Sequence, residues 1–190
     1  MQLEQRLSAR ENSFYKVVVV TVFAMFTGLA AQVRIPVPFS PVPVTGQTFI
    51  VLLSPLLIDR WSVLSQILYI LLGILGVPWF SGHSAGLQTL LGPTGGYLLG
   101  FIVASFFISQ GPQSSKHRSS VAVVLRLAIA NFGLIYGFGL IQLYLWFAGK
   151  GVYISLSKLL SMGLIPFVSG DLIKILLAYS TYSLFRKISE

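Results

Sequence analysis

Long uncharged apolar runs, interrupted by basic residues or by Pro and Gly clusters, dominate the chain. Six emerge, approximately over residues 14–33, 45–58, 61–75, 94–109, 121–147 and 164–185. A helix crossing the roughly 30 Å hydrocarbon core of a bilayer needs about 20 mostly apolar residues. The pattern therefore predicts an all-α, polytopic membrane protein with six transmembrane helices. The second and third runs are short for full spans, which implies tilt, longer true boundaries, or burial by neighbouring helices rather than by lipid. The polar segment 1–13 leads into an apolar run ending Gly28-Leu-Ala-Ala-Gln32, which has the form of a cleavable signal peptide. Five further apolar segments make a retained anchor the simpler reading, and residues 1–190 form one domain.

Composition agrees. The chain is 55% hydrophobic and 9% charged, with a mean hydropathy of +0.82, whereas soluble domains carry about 25% charged residues. Thirteen Lys and Arg face five acids, giving a formal net charge of +8. The bases sit singly between apolar runs rather than on one polar face, so a nucleic-acid partner is not expected. They fit topology control instead. With the N- and C-termini cytoplasmic, Arg6, Arg10, Lys16, Arg60, Lys116, Arg118, Arg186 and Lys187 fall inside, and Arg34, Lys150 and Lys158 outside. Eight against three is the positive-inside asymmetry. Trp61, Trp79, Trp146 and Tyr153 lie near the expected span ends. With no cysteine, disulfides, thiolate metal sites and cysteine nucleophiles drop out, and no cofactor or metal is expected.

Between the first two runs, residues 34–44 hold prolines at 36, 38, 41 and 43. Proline lacks an amide donor and keeps its predecessor out of the helical region, so this stretch is extended. It serves either as a lid over a cavity or as a stiff connector. The third loop contains Gly82-His-Ser-Ala-Gly86 and continues to Leu91-Gly-Pro-Thr-Gly-Gly-Tyr97. Thr94, with Pro93 beside it, starts the fourth helix, whose unpaired N-terminal amides either bind a ligand oxygen or serve ordinary turn chemistry. The stretch 82–86 matches the G-x-S-x-G nucleophile elbow, which would make Ser84 a hydrolase nucleophile. That motif needs a strand, a turn and a helix with a histidine and an acid elsewhere, and this chain offers no such strand.

The sixth run holds Asp171 and Lys174, three apart and on one helix face. An ionised group inside a span costs at least roughly 2.5–3.5 kcal/mol, so it normally faces the protein interior and is functional by default. The two either compensate each other or clamp a ligand, the carboxylate accepting ligand N–H groups and the ammonium donating to a ligand oxygen. Gln47, Gln88 and Asn131 are further polar groups that need partners if buried. Arg126 lies near the cytoplasmic end, where it snorkels, and receives no role. On the first helix Ala24 and Gly28 are four apart, as are Thr27 and Ala31, a spacing that admits another helix from within the fold or from a partner.

Together, residues 34–48, 91–97 and 166–174 resemble the biotin transporter substrate-capture family, the S components of energy-coupling-factor importers. The resemblance runs from the first span to the last. It implies a six-helix protein of the prokaryotic cell membrane, not an enzyme, that binds biotin near the outer surface under the first and third loops. It also implies a transmembrane coupling protein and two ATP-binding-cassette ATPases as partners. This chain has no G-x-x-x-x-G-K-[S/T] phosphate loop, so ATP hydrolysis falls to those partners. The resemblance assigns Asp171 and Lys174 to the ligand, with Gln47, Thr94, Gly95, Tyr97 and Asn131 as further candidate substrate contacts. It assigns Ala24, Gly28 and Ala31 to a partner-facing surface.

Overall fold

The computed structural model describes residues 2–111 and 120–189, with side chains described for 13–111 and 120–188. Arg6, Arg10, Lys116, His117 and Arg118 therefore lie outside the described side chains. The chain is mostly helical: α1 (Gln2–Gln32), α2 (Gln47–Ile58), α3 (Trp61–Ile74), α4 (Leu87–Leu91), α5 (Gly95–Ser109), α6 (Ser120–Ala128), a π-helical segment (Ile129–Ile135), α7 (Tyr136–Ala148), α8 (Leu156–Gly163), a 3-10 turn (Ile165–Phe167) and α9 (Val168–Ser189). The α6–π–α7 run is continuous and matches the fifth apolar run.

Among the described residues three helical stretches are long and apolar enough to cross a membrane, Ser13–Gln32, Ser120–Ala148 and Leu156–Ile188. Helices α2, α3 and α5 are apolar but shorter. At 1.5 Å per residue they measure about 18, 21 and 22 Å, short of the hydrocarbon thickness. Each packs on a longer helical run: α2 on α9, α3 on α1, α5 on the continuous α6–π–α7 run. The expectation that the short runs are buried by neighbours holds for α2, where residues 51–56 are all buried.

The helices are apolar on the inside and the outside alike. Leu52, Ile108, Leu127, Ile135 and Leu143 are fully buried, while Phe26, Leu29, Phe106, Leu125, Ile141, Leu145, Ile173 and Leu176 are exposed. An aqueous surface does not carry a belt of this kind, and a lipid-facing one does.

The proline-rich stretch is extended. Strands β1 (Arg34–Ile35) and β2 (Val44–Thr45) pair antiparallel at its two ends, Arg34 opposite Thr45 and Ile35 opposite Val44. At its tip Ser40 Oγ donates to the Met162 carbonyl at 2.6 Å, pinning the stretch to α8. The third loop is tied to α1. Gln32 Nε2 donates to the carbonyls of Trp79 and Phe80, each at 3.1 Å, and its Oε1 accepts the His83 amide at 3.1 Å.

The small residues of α1 that the resemblance assigns to a partner face inward in this chain. Ala24 and Ala31 are fully buried, and a Cβ on Gly28 would stand 3.0 Å from the Trp79 ring. They let Trp79 and α3 approach α1, which leaves bulky Met25, Phe26 and Leu29 on its outer side.

Candidate functional site

Asp171 lies in the first turn of α9, where the helix dipole favours a carboxylate, and it is 1% exposed. Four donors from three other elements and from α9 itself converge on it. Oδ1 accepts from Lys174 Nζ at 2.7 Å and from Thr48 Oγ1 at 3.2 Å. Oδ2 accepts from Asn131 Nδ2 at 2.9 Å and from the Tyr136 hydroxyl at 2.6 Å. A carboxylate offers about four lone-pair directions, so this one is saturated. Of the two roles left open by the sequence, mutual compensation with Lys174 is the one seen here.

The π segment makes this convergence possible. Asn131 and Tyr136 are five residues apart, which on an α-helix leaves them about 140° apart around the axis. The Tyr136 amide reaches back to the Asn131 carbonyl, the i→i+5 pattern of a π turn. That wider turn brings both side chains to one carboxylate oxygen.

A second tier of polar contacts links the site to the loops. Gln47 Nε2 donates to the Tyr69 hydroxyl at 2.9 Å, and Gln47 Oε1 accepts from Thr45 Oγ1 at 3.0 Å. The Tyr97 hydroxyl donates to the Gly163 carbonyl at 2.7 Å, and its ring meets that of Tyr136 edge-on at 5.9 Å.

Above Asp171 lies an inner cavity of about 60 Å³, roofed by Val42 and Pro43 of the proline-rich stretch and walled by Tyr97, Tyr136 and Phe167. It joins an outer cavity of about 550 Å³ between the proline-rich stretch and the third loop. Pro43, Gln47, Ser81, Thr94 and Leu98 line both. The proline-rich stretch is thus a roof, pinned at its tip, rather than a bare connector.

Of the sequence candidates, Asp171, Lys174, Gln47, Thr94 and Tyr97 line the inner cavity. Asn131 stands behind Asp171 and reaches the cavity only through it. Gly95 packs its bare Cα against Leu90, where α4 abuts α5. Gln88 is exposed on the outer cavity wall. Thr48 and Tyr136 were not singled out in the sequence. Thr48 adjoins Gln47 in the same motif, but nothing local marks Tyr136. Ser84 Oγ donates to the Ser81 carbonyl at 3.1 Å, not to a histidine ring, and the non-glycine residue of positive φ in this stretch is His83 at 57°, not Ser84. This is a loop turn rather than a nucleophile elbow. Among the described residues no group of three His, Asp or Glu side chains gathers as metal ligands would.

A mostly helical chain with an apolar outer belt, and a saturated ion pair at the floor of a small cavity roofed by an extended loop, has the architecture of a membrane protein with a polar interior site. Comparison with known proteins makes the class specific. Residues 4–190 match the model of the BioY family. The chain is 45% identical over 119 residues to a probable biotin transporter BioY of Methanothermobacter thermautotrophicus, covering 60% of this chain and 74% of that one. It is 37% identical over 145 residues to the biotin transporter BioY of Thermotoga maritima, covering 76% and 80%. Its fold superposes on the crystal structure of an S-component for biotin from an ECF-type ABC transporter with a TM-score of 0.81 at 21% identity, covering 93% of both chains. The chain belongs to the BioY family.

Proposed function

We propose that this protein is the biotin-capturing S component of an energy-coupling-factor importer, and that Asp171 is the group on which capture turns. The observation that carries this reading is the convergence of four donors on one buried carboxylate beneath a proline-roofed cavity, in a chain of the BioY family. Biotin offers two ureido N–H donors, one carbonyl, an apolar thiophane and an anionic tail. On binding, a ureido N–H takes the Oδ1 position held by Thr48, the longest of the four contacts at 3.2 Å. Lys174, keeping its contact with Asp171, donates a second N–H to the ureido oxygen, and Tyr97, Tyr136 and Phe167 wall the thiophane. Gln47 and Thr94 border the passage from the outer cavity to the inner one.

In this reading α1, α2, α3, α5, the α6–π–α7 run and the α8–α9 run are six spans of the prokaryotic cell membrane, with both termini inside. Lys16 sits over the Trp61 ring at 5.0 Å, which supports one shared end for the cations of α1 and of the α2–α3 turn. Lys150 lies 3.6 Å from the Trp146 ring centroid at the other. The chain carries out no reaction. A transmembrane coupling protein and two ABC-type ATPases supply the drive, docking on faces other than Ala24, Gly28 and Ala31.

Isothermal titration of the detergent-purified chain with biotin is expected to show one saturable site. Absence of binding, or displacement of biotin by another vitamin in a competition panel, would overturn the assignment. Tyr136→Phe keeps the ring contacts and removes one donor to Oδ2. It is expected to weaken biotin about five- to tenfold, in line with roughly 1–1.5 kcal/mol for one hydrogen bond, and the same titration reads it.

A further inference from the structure

Resting on the biotin reading, we propose that the Arg34 guanidinium, rather than the Lys174 ammonium, receives the ligand's anionic tail. Lys174 is already compensated by Asp171 at 2.7 Å. A ligand carboxylate placed beside that pair meets a second carboxylate, and like charges at such range oppose each other in a low-dielectric site. The pair suits the polar but uncharged ureido end.

Space points the same way. The inner cavity of about 60 Å³ admits only part of a molecule the size of biotin, and the remainder must lie in the adjoining cavity of about 550 Å³. Arg34 is the one charged side chain lining that larger space, and it forms no ion pair among the described residues. Its position is built rather than incidental. Strand pairing sets Arg34 opposite Thr45, whose hydroxyl donates to Gln47 Oε1 on the inner cavity wall. The guanidinium lies against the bare Cα of Gly82, where any Cβ would collide with Nη1 and where φ is +75°. Exposed and placed there by its strand, a planar fork can meet a carboxylate with two parallel N–H donors.

The test compares biotin with its uncharged methyl ester by titration of the purified full chain. The wild type is expected to prefer biotin at least tenfold. Arg34→Gln is expected to lose that preference by weakening biotin about tenfold while holding the ester unchanged, and Arg34→Lys to retain part of it. An undiminished preference in Arg34→Gln would overturn the assignment. So would an equal loss of both ligands in the Gln and Lys variants, since that marks a structural role. If the wild type binds neither compound, the biotin reading itself falls and this one with it. If it binds both equally, only the role of Arg34 falls.

Discussion

Asp171→Asn is expected to lower biotin affinity by at least tenfold, or about 1.4 kcal/mol, and to destabilise the protein as well. The amide brings two N–H donors into a space where four donors already converge, so at least one pair of donors is left face to face. Lys174, whose side chain is 15% exposed, loses its counter-ion. Removing one partner of a buried pair costs about 3–5 kcal/mol, which for a chain of this size lowers the thermal midpoint by roughly 6–20 °C. Fluorimetric unfolding and titration on the same preparation read both effects. Adding Lys174→Met to the variant is expected to recover much of the midpoint without recovering binding. Unchanged affinity in a folded Asp171→Asn protein would remove the carboxylate from the site.

Gly96→Val is expected to cost about 3 kcal/mol or more, because two helix backbones meet there. A Cβ on Gly96 would run into the Phe138 carbonyl and the Gln142 side chain, and one on Gly100 would stand 2.8 Å from the Ile135 Cα. The fit is reciprocal, since Gly139 of α7 lies bare against the Tyr97 ring of α5. Backbone atoms cannot step aside as a flexible side chain can, so overpacking here exceeds the usual 1–3 kcal/mol. The intruding side chain also pushes away the helix that carries Tyr136 and so loosens the grip on Asp171. Gly137→Val is the control, because a Cβ at Gly137 meets nothing within 4 Å. Equal thermal midpoints for the two variants would show that close approach is not what joins α5 to α7.

Uncharged run length located the helices well where a charge or a Pro and Gly cluster marks the ends. The runs 61–75 and 94–109 became Trp61–Ile74 and Gly95–Ser109. The first helix reaches back to Gln2, well before its apolar run, because Leu, Glu, Gln, Arg and Ala favour helix without being lipid-soluble. The amphipathic α8, which carries Lys158, escaped a search for uncharged runs for the same reason. Asp171 and Lys174 stood out because ionised residues in apolar runs are rare. Thr48 and Tyr136 did not, since hydroxyl residues are common in helices and the meeting of Asn131 with Tyr136 depends on a π turn that no residue announces. The Gly96-x-x-x-Gly100 spacing was in plain view, but its partner surface on α7 becomes definite only once the helices are docked. Small residues on α1 were legible as a packing face, and it is Trp79 that packs there against Gly28.

The three short helices have a consequence for the passage of an anion. Helices α2, α3 and α5, about 18–22 Å long, fall short of the roughly 30 Å hydrocarbon core, so in the proposed six-span reading the bilayer thins toward them or water and headgroups reach in at their ends. The electrostatic barrier to a charged solute grows with the thickness of low-dielectric material that it must traverse. In the proposed six-span reading, a subunit waisted in this way shortens the low-dielectric path of its bound anion and leaves a smaller displacement for the reorientation that completes import.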